Sequence, residues 1–480
     1  MAVSPTKKKR RVISVFVLVM LNVAIMASLR NLPLVATYGL SAIFFFGLVA
    51  LFFLIPCALV AAELATGWTK EGGIYIWVRE ALGDRWGFFA VWMQWVHNVA
   101  WYPVILSFVA ATIAYIFNPA LAENKVYFVG VILVSFWGMT LLNYLGMRTS
   151  SLFSTIGVIA GTILPGLFII GLGVLWLGGD QPTDIQLSWS ALIPDFSHLG
   201  NVVFLAGLVL AFAGLEVSSS YANEVENPKK NYPKSIILAA LITFSVFMLG
   251  SLAIAYVIPK EEINLAAGLM AAFQKFFDYY SLGWILPIMG ILLVIGAVAE
   301  VNAWIVGPVK GLYATTTHGC LPPMFHKKNK HGVPTNLLLF QAIIMSVTSL
   351  VILELPNISA AFWILSAMSA QIYLVMYVLM FVSAIRLRYL KPHVPRAYKV
   401  PYGKKGMWFF SILGMIACIF VIFLAFIPPH QIDVGSPLFY ESFLIGGLVL
   451  MSAIPLVIYQ LRKPHWIVEV HKIDRKASRK

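Results

Sequence analysis

Charge is scarce in this chain. Asp, Glu, Lys and Arg make up 11% of its 480 residues, where soluble domains carry about 25%. The acidic sign is the scarcer one, with 20 Asp and Glu against 34 Lys and Arg. Cysteine is sparse too: Cys57, Cys320 and Cys418 stand far apart, so neither a disulfide framework nor a metal-ligand spacing emerges. No zinc-type His-Glu-x-x-His occurs, no Ser/His/Asp order, and no polar stretch long enough for a soluble catalytic or sensory domain. These absences argue against a membrane-embedded enzyme or receptor, and the sequence asks for no cofactor.

Hydrocarbon is what the chain has. Sixty per cent of its residues are hydrophobic and its mean hydropathy is +0.86. Apolar stretches of about 20 residues, the length that crosses a bilayer core, recur from end to end. Twelve spans are expected, at roughly 13–38, 40–65, 88–116, 126–145, 152–178, 200–222, 235–258, 283–315, 336–354, 358–386, 407–427 and 440–461. The expected fold is therefore an all-α polytopic membrane protein. A basic N-terminus (1–12) precedes a single transmembrane domain (13–461), and a basic tail (462–480) follows it.

A net charge of +14 would point to nucleic acid if the basic residues were clustered on a soluble face. They are not. Five precede span 1, and the loops after spans 2, 4, 6, 8 and 10 hold three, one, three, four and seven when Lys310 and Arg386, at the near ends of spans 8 and 10, are counted with them; the tail holds seven. Thirty of the 34 thus fall on one side. The opposite loops hold Lys125, Lys260 and Lys275, and Arg30 lies within span 1. This is the positive-inside bias, which places both termini in the cytoplasm. The Lys-Lys-Lys-Arg-Arg run at 7–11 then reads as a topology signal or a lipid-headgroup contact. No nucleic-acid partner is expected.

Two spans are interrupted by polar residues. Span 1 carries Asn22, Ser28, Arg30, Asn31 and Pro33; span 6 carries Gly214, Glu216 and Ser218 to Ser220. Transporters built from inverted repeats show such breaks at corresponding places in their two halves, with the binding site between them. Two kinked helices with serine back-bonding would give the same pattern.

Arg30, Glu216 and Glu300 place charge in mid-membrane stretches. Each opposes insertion by roughly 2.5–3.5 kcal/mol on the most lenient scale, and together by about 8–10, unless they pair or face water. Such a chain is expected to pass something polar through itself. Glu216 and Glu300 either exchange a proton with the transport cycle or form a static pair with Arg30. Arg30 either favours an anionic group on the substrate or neutralises a Glu. Trp304 shares a helix face with Glu300, as a pocket cap or as packing. In span 3, Gln94, His97, Asn98, Trp101 and Tyr102 form a polar-aromatic stripe, with His97 either a proton relay or satisfied by a carbonyl. Ser366, Ser369 and Gln371 in span 10 complete the pocket or bond between helices. Glu63, at the cytoplasmic end of span 2, reads as a loop anchor.

The loop after span 2 places Ile74, Trp77, Val78 and Ala81 on one helical face, which predicts a short helix lying on the membrane surface. Residues 316–335 read as a solvated turn, and 391–405 as an irregular basic connector.

Three segments carry a resemblance. Gly-Gly-Ile-Tyr-Ile-Trp-Val-Arg-Glu-Ala-Leu-Gly (72–83) is similar to the signature after span 2 in the amino acid–polyamine–organocation superfamily. Gly-Leu-Glu (214–216) with Glu-Asn-Pro-Lys-Lys-Asn-Tyr-Pro (226–233) resembles the span 6 motif and its loop. Ala-Glu-Val-Asn-Ala-Trp-Ile-Val-Gly-Pro-Val-Lys-Gly-Leu-Tyr (299–313), followed by Gly-Cys-Leu-Pro-Pro (319–323) and Gly-Val-Pro (332–334), resembles span 8 and its loop. The version here looks most like the bacterial glutamate/γ-aminobutyrate antiporters.

The resemblance implies a LeuT-like fold in which spans 1–5 (13–178) and 6–10 (200–386) are inverted repeats and helices 11–12 (407–461) are peripheral. It implies a permease or antiporter for an α-amino acid or its decarboxylated amine, with a polyamine as the alternative cargo, protons as possible partners and a bacterial inner membrane as its place. Met26, Ala27 and Ser28 occupy the segment whose backbone N–H groups hold the substrate carboxylate. Ala211 and Phe212 lie where span 6 meets the α-amino group and side chain. Glu216 falls on the span 6 coupling or gating glutamate, and Glu300 and Trp304 match pocket-lining residues. Arg30 and Asn31 stand where those antiporters carry a tyrosine and a glutamate. The tail after span 12 is too short for their pore-blocking plug.

Overall fold

The computed structural model describes residues 14–69, 72–179, 181–185, 188–197, 199–221, 225–430 and 432–467. The basic N-terminus at 1–12 and the tail beyond 467 lie outside these residues.

Hydrocarbon offers no hydrogen-bond partner to a bare peptide group, so each apolar run closes its backbone bonds within a helix. Eleven helices among the described residues are long and apolar enough to cross a membrane: Val15–Ala36, Gly39–Gly67, Asp84–Phe117, Lys125–Tyr144, Leu152–Gly178, Lys230–Val257, Gly283–His318, Thr335–Glu354, Ile358–Leu390, Gly403–Leu424 and Pro437–Gln460. They are spans 1–5 and 7–12 of the sequence. Span 6 differs because it is broken: a short apolar helix, Leu199–Ala211, gives way at Phe212–Glu216 to a 3-10 turn at Val217–Tyr221. The chain is thus a polytopic all-α membrane protein, and no strand occurs among the described residues. Spans 3 and 10 overshoot their apolar runs by several residues at the charged end, where Asp84, Arg386 and Arg388 continue the helix.

Span 3 is the core of the bundle, with 83% of its apolar stretch buried; spans 1 and 10 follow at 72% and span 12, at 11%, is peripheral. Spans 3 and 10 pack along each other, and span 8 packs on span 3. Spans 5 and 8 touch backbone to backbone: a Cβ at Gly161 would lie 2.2 Å from the Leu292 carbonyl oxygen. Small residues allow this approach in a membrane, where packing rather than the hydrophobic effect joins helices.

The helix expected on the membrane surface forms at Ile74–Leu82 but does not lie on a surface. It packs between spans 3 and 10, with Tyr75 and Trp77 buried as well as Ile74, Ile76, Val78 and Ala81. Six buried positions in nine leave too narrow a polar face for an interfacial helix. A second amphipathic helix, Gly268–Tyr279, joins spans 7 and 8 and buries Leu269, Ala272, Phe273, Phe276 and Phe277.

Glu63 is an anchor. Its carboxylate pairs with Arg388 at 2.5 Å and Arg396 at 3.2 Å and accepts the Val400 backbone N–H at 2.7 Å. Arg396 also lies over the Trp68 ring, 5.0 Å from its centroid. The irregular connector after span 10 is thereby folded back onto span 2. Removing one member of a buried ion pair leaves the other charge uncompensated, at about 3–5 kcal/mol. Glu63→Gln is therefore expected to lower the thermal unfolding midpoint in detergent; an unchanged midpoint would show that the triad does not hold the connector.

Candidate functional site

Span 1 unwinds where its sequence turns polar. The helix Val15–Met26 ends at Ala27, with φ −83° and ψ 77°; Ser28 is extended, and a 3-10 turn at Leu29–Asn31 leads into Leu32–Ala36. Span 6 unwinds at Gly214, whose φ of +113° favours glycine. A Cβ there would also lie 2.8 Å from Ile25 and 3.1 Å from the Trp304 ring. The two breaks therefore meet, and they meet beside span 8.

Between them lies a cavity of about 20 Å³, room for about one water. Met26, Ser28, Arg30, His97, Ala211, Glu300 and Trp304 line it together. Ile25, Asn31, Trp101, Leu210, Ala213 and Tyr373 complete the wall. Ala27 and Phe212 are buried at the breaks but are not part of that wall; Phe212 turns into a cluster with Phe46, Phe244 and Phe247.

Arg30 is 3% exposed. Its guanidinium sits 5.4 Å from the Trp101 ring centroid and 5.7 Å from that of Phe362, contacts worth about 0.5–2 kcal/mol each. Its Nε has no hydrogen-bond partner. Arg30 is also the charged group that acts on Glu300, with Ser28 beside it. Opposite charges thus share one buried wall without exhausting the donors of the guanidinium.

Aromatic rings form the rest of the wall. His97 stacks on Tyr373 at 3.9 Å with the planes 5° apart, meets Ser369 Oγ through Nδ1 at 3.2 Å, and leaves Nε2 without a partner. Trp304 lies 5.5 Å from both His97 and Trp101. Its indole N–H donates to the Ile25 carbonyl at 3.1 Å, an acceptor beside the break in span 1. Trp304 is therefore both cavity wall and helix cap.

Glu216 stands behind the cavity, tied to it through Tyr373. Its carboxylate accepts from the Tyr373 and Tyr377 hydroxyls and from Gln94 Nε2 at 2.9 Å. The Tyr377 hydroxyl in turn accepts the Gly214 N–H at 2.7 Å, so its own proton is committed to Glu216. This cluster binds the loosened backbone of span 6 to spans 3 and 10.

Tyr373 and Tyr377 escaped the sequence reading, which had looked to Ser366, Ser369 and Gln371. Gln371 follows the second of the two expected courses and bonds between helices, donating to the Ile422 carbonyl in span 11, while Ser366 bonds back to Phe362 within span 10. The i, i+4, i+8 spacing of Ser369, Tyr373 and Tyr377 was the available signal.

The amino acid permease family model matches residues 12–450. The chain belongs to the amino acid permease family. An uncharacterized transporter of Legionella pneumophila is 44% identical over 446 residues, spanning 93% of this chain and 96% of its own. A glutamate/γ-aminobutyrate antiporter of Lactococcus lactis is 32% identical over 456 residues, 94% of this chain and 90% of its own. A probable agmatine/putrescine antiporter of the same species is 25% identical, covering 88% and 90%. The likeness to this permease family runs through both broken helices.

Tyr377→Phe removes one donor from Glu216 and the acceptor of the Gly214 N–H. Hydrogen bonds to charged groups are worth about 1.5–3 kcal/mol each, so the variant is expected to unfold at a lower temperature than wild type. A wild-type midpoint would mean that the cluster does not hold the break.

Proposed function

We propose that the chain is a secondary active transporter that carries an α-amino acid, or the amine left by its decarboxylation, across the cytoplasmic membrane by alternating access. The observation that carries this reading is the meeting of two interrupted helices at a cavity with Arg30 and Glu300 in one wall. An α-amino acid carries a carboxylate and an ammonium a few bonds apart. The segment Met26, Ala27 and Ser28 is the place for the carboxylate once the Ala27 and Ser28 N–H groups leave the Val23 and Met26 carbonyls that hold them here, and carbonyls at Ala211 and Phe212 suit the ammonium. The charged pair is then left for the distal group of the substrate. Arg30 favours an acidic side chain, and Glu300 an amine.

A cavity that holds about one water is too small for any amino acid. Loading requires the two break segments to part from the span 3 and span 8 wall, and closing brings Trp304 and Tyr373 back over the substrate. Such a cycle needs two conformations of comparable free energy, shifted by cargo that binds one of them better. Spans 1–5 and 6–10 would supply the two repeats, with helices 11–12 outside them. Glu216 bridges span 6 to spans 3 and 10, so a proton on its carboxyl would loosen the contact that fixes one state. His97, stacked on Tyr373 with a free ring nitrogen, is the second coupling group.

The basic residues on one side favour a cytoplasmic position for both termini, and the bacterial relatives support an inner membrane. Polyamine transport is the second reading. It is favoured by the agmatine/putrescine relative and by Glu300, and opposed by Arg30 in the same wall.

Counterflow in proteoliposomes tests the proposal. Vesicles preloaded with glutamate, γ-aminobutyrate, agmatine or putrescine are expected to drive uptake of the labelled species for at least one cargo. Conductance without exchange, or no counterflow with any amino acid or amine, would overturn it. Glu216→Gln is expected to insert normally and lose proton-linked transport; unchanged proton-linked uptake would remove Glu216 from the coupling role.

A further inference from the structure

A second, larger cavity opens at the cytoplasmic ends of spans 4, 8 and 9, where the loop between spans 8 and 9 folds over the helix Ile74–Leu82. Its volume is about 490 Å³, within the range of ligand pockets, about 300–1,000 Å³. Neither broken helix contributes a residue to it, so it is not a branch of the central site.

The lining is lopsided in charge. Arg79, Lys310, Lys328 and His318 face it, and among the described residues no aspartate or glutamate lines it. Arg79 is held by Asp84 at 2.5 Å and lies 4.0 Å from Glu80, which fixes its position but leaves a guanidinium edge for another acceptor. Lys328 projects over the Tyr313 ring, 4.0 Å from its centroid; a contact with a ring face uses none of the three ammonium donors conventionally. The His318 Nδ1 is engaged by the Tyr75 hydroxyl at 2.8 Å. Below these groups the wall is apolar, formed by Ile76, Val309, Ala314, Val333 and Leu338.

Two glycines shape the turn at one side of the cavity. Gly72 and Gly73 have φ of +124° and +48°, and a Cβ on Gly72 would come within 3.6 Å of Ala314. The turn therefore runs close along span 8 while the following helix swings Arg79 toward the lysines. The loop side is pinned by Asn329, whose amide donates to the Tyr144 carbonyl at 2.7 Å.

We propose that this cavity binds a phosphate-bearing anion, with Lys310, Lys328 and Arg79 around the phosphate and the apolar wall against its organic part. Basic pockets between membrane helices on the cytoplasmic side take anionic lipid headgroups by this chemistry, and a soluble phosphate offers the same oxygens. Ile467 packs on Gly319, and the excess of Lys and Arg in the sequence that follows it disfavours that tail as the occupant. Span 8 forms one wall of this cavity and also carries Glu300 and Trp304, so an occupant bears on the helix that lines the central site. The proposal does not rest on the transport reading.

Binding is read on the purified full chain in detergent, by thermal shift and by native mass spectrometry. The probes are phosphatidylglycerol, phosphatidylcholine and sodium phosphate. Phosphatidylglycerol is expected to stabilise the protein and to stay bound, with phosphatidylcholine at least about tenfold weaker. The double variant Lys310→Gln, Lys328→Gln is expected to lose that tenfold preference. Displacement of phosphatidylglycerol by millimolar phosphate, with the same stabilisation, would assign the site to a soluble anion and still support it. Should the double variant not fold, Lys328→Gln alone, with Lys328→Arg restoring retention, carries the same comparison. Equal retention of both lipids by wild type, or wild-type retention by the lysine variants, would overturn the proposal.

Discussion

Everything in this structure depends on how two ruptured helices are satisfied inside a membrane. An unpaired peptide group in hydrocarbon is too unfavourable to persist, so each break needs partners from intact helices. Span 8 supplies one through the Trp304 indole on the Ile25 carbonyl. Spans 3 and 10 supply the others, through Tyr377 on the Gly214 N–H and through Gln94, Tyr373 and Tyr377 on Glu216. Spans 3 and 10, which hold Gly214 and Glu216, are among the most buried, so the break in span 6 is held where the scaffold is firmest. Both breaks are held by a handful of hydrogen bonds rather than by continuous helix, and a few bonds can be exchanged.

The buried charges follow the same logic. Arg30 is tolerated because two aromatic faces flank it and Glu300 shares its wall; Glu216 is tolerated because three donors surround its carboxylate. The contrast with Glu63 is instructive. That carboxylate has two arginines and a backbone N–H, a closed set that ties a loop down. Arg30 and His97 each keep a ring or guanidinium nitrogen without a partner next to the cavity.

Much of this was legible in the sequence because hydrocarbon imposes a strong pattern. The spans, the two interruptions and the anchoring role of Glu63 were readable from apolar length and from polar residues where none belong. Seven of the ten expected site residues share one cavity wall: Arg30, His97 and Glu300 because mid-membrane polarity must point inward, Trp304 because it shares a helix face with Glu300, and Met26, Ser28 and Ala211 as the family resemblance implied. Three features were not legible. Tyr373 and Tyr377 look like ordinary aromatic packing until Glu216 is seen to lie against them. Phe212 sits at the break, yet its ring has a choice of apolar neighbours and takes the phenylalanine cluster. The helix Ile74–Leu82 has an amphipathic pattern that suits a lipid surface equally well, and only the depth of the groove between spans 3 and 10 decides that it is buried.

The most direct measurement is a structure of the protein with its cargo, once counterflow has identified it, determined by electron cryo-microscopy in nanodiscs. The account expects density at the two breaks, the carboxylate or amine against residues 26–28 and 211–213, and the distal group near Arg30 or Glu300 with Trp304 and Tyr373 closed over it. Cargo seated elsewhere, with spans 1 and 6 unchanged and the central cavity still closed, would contradict it.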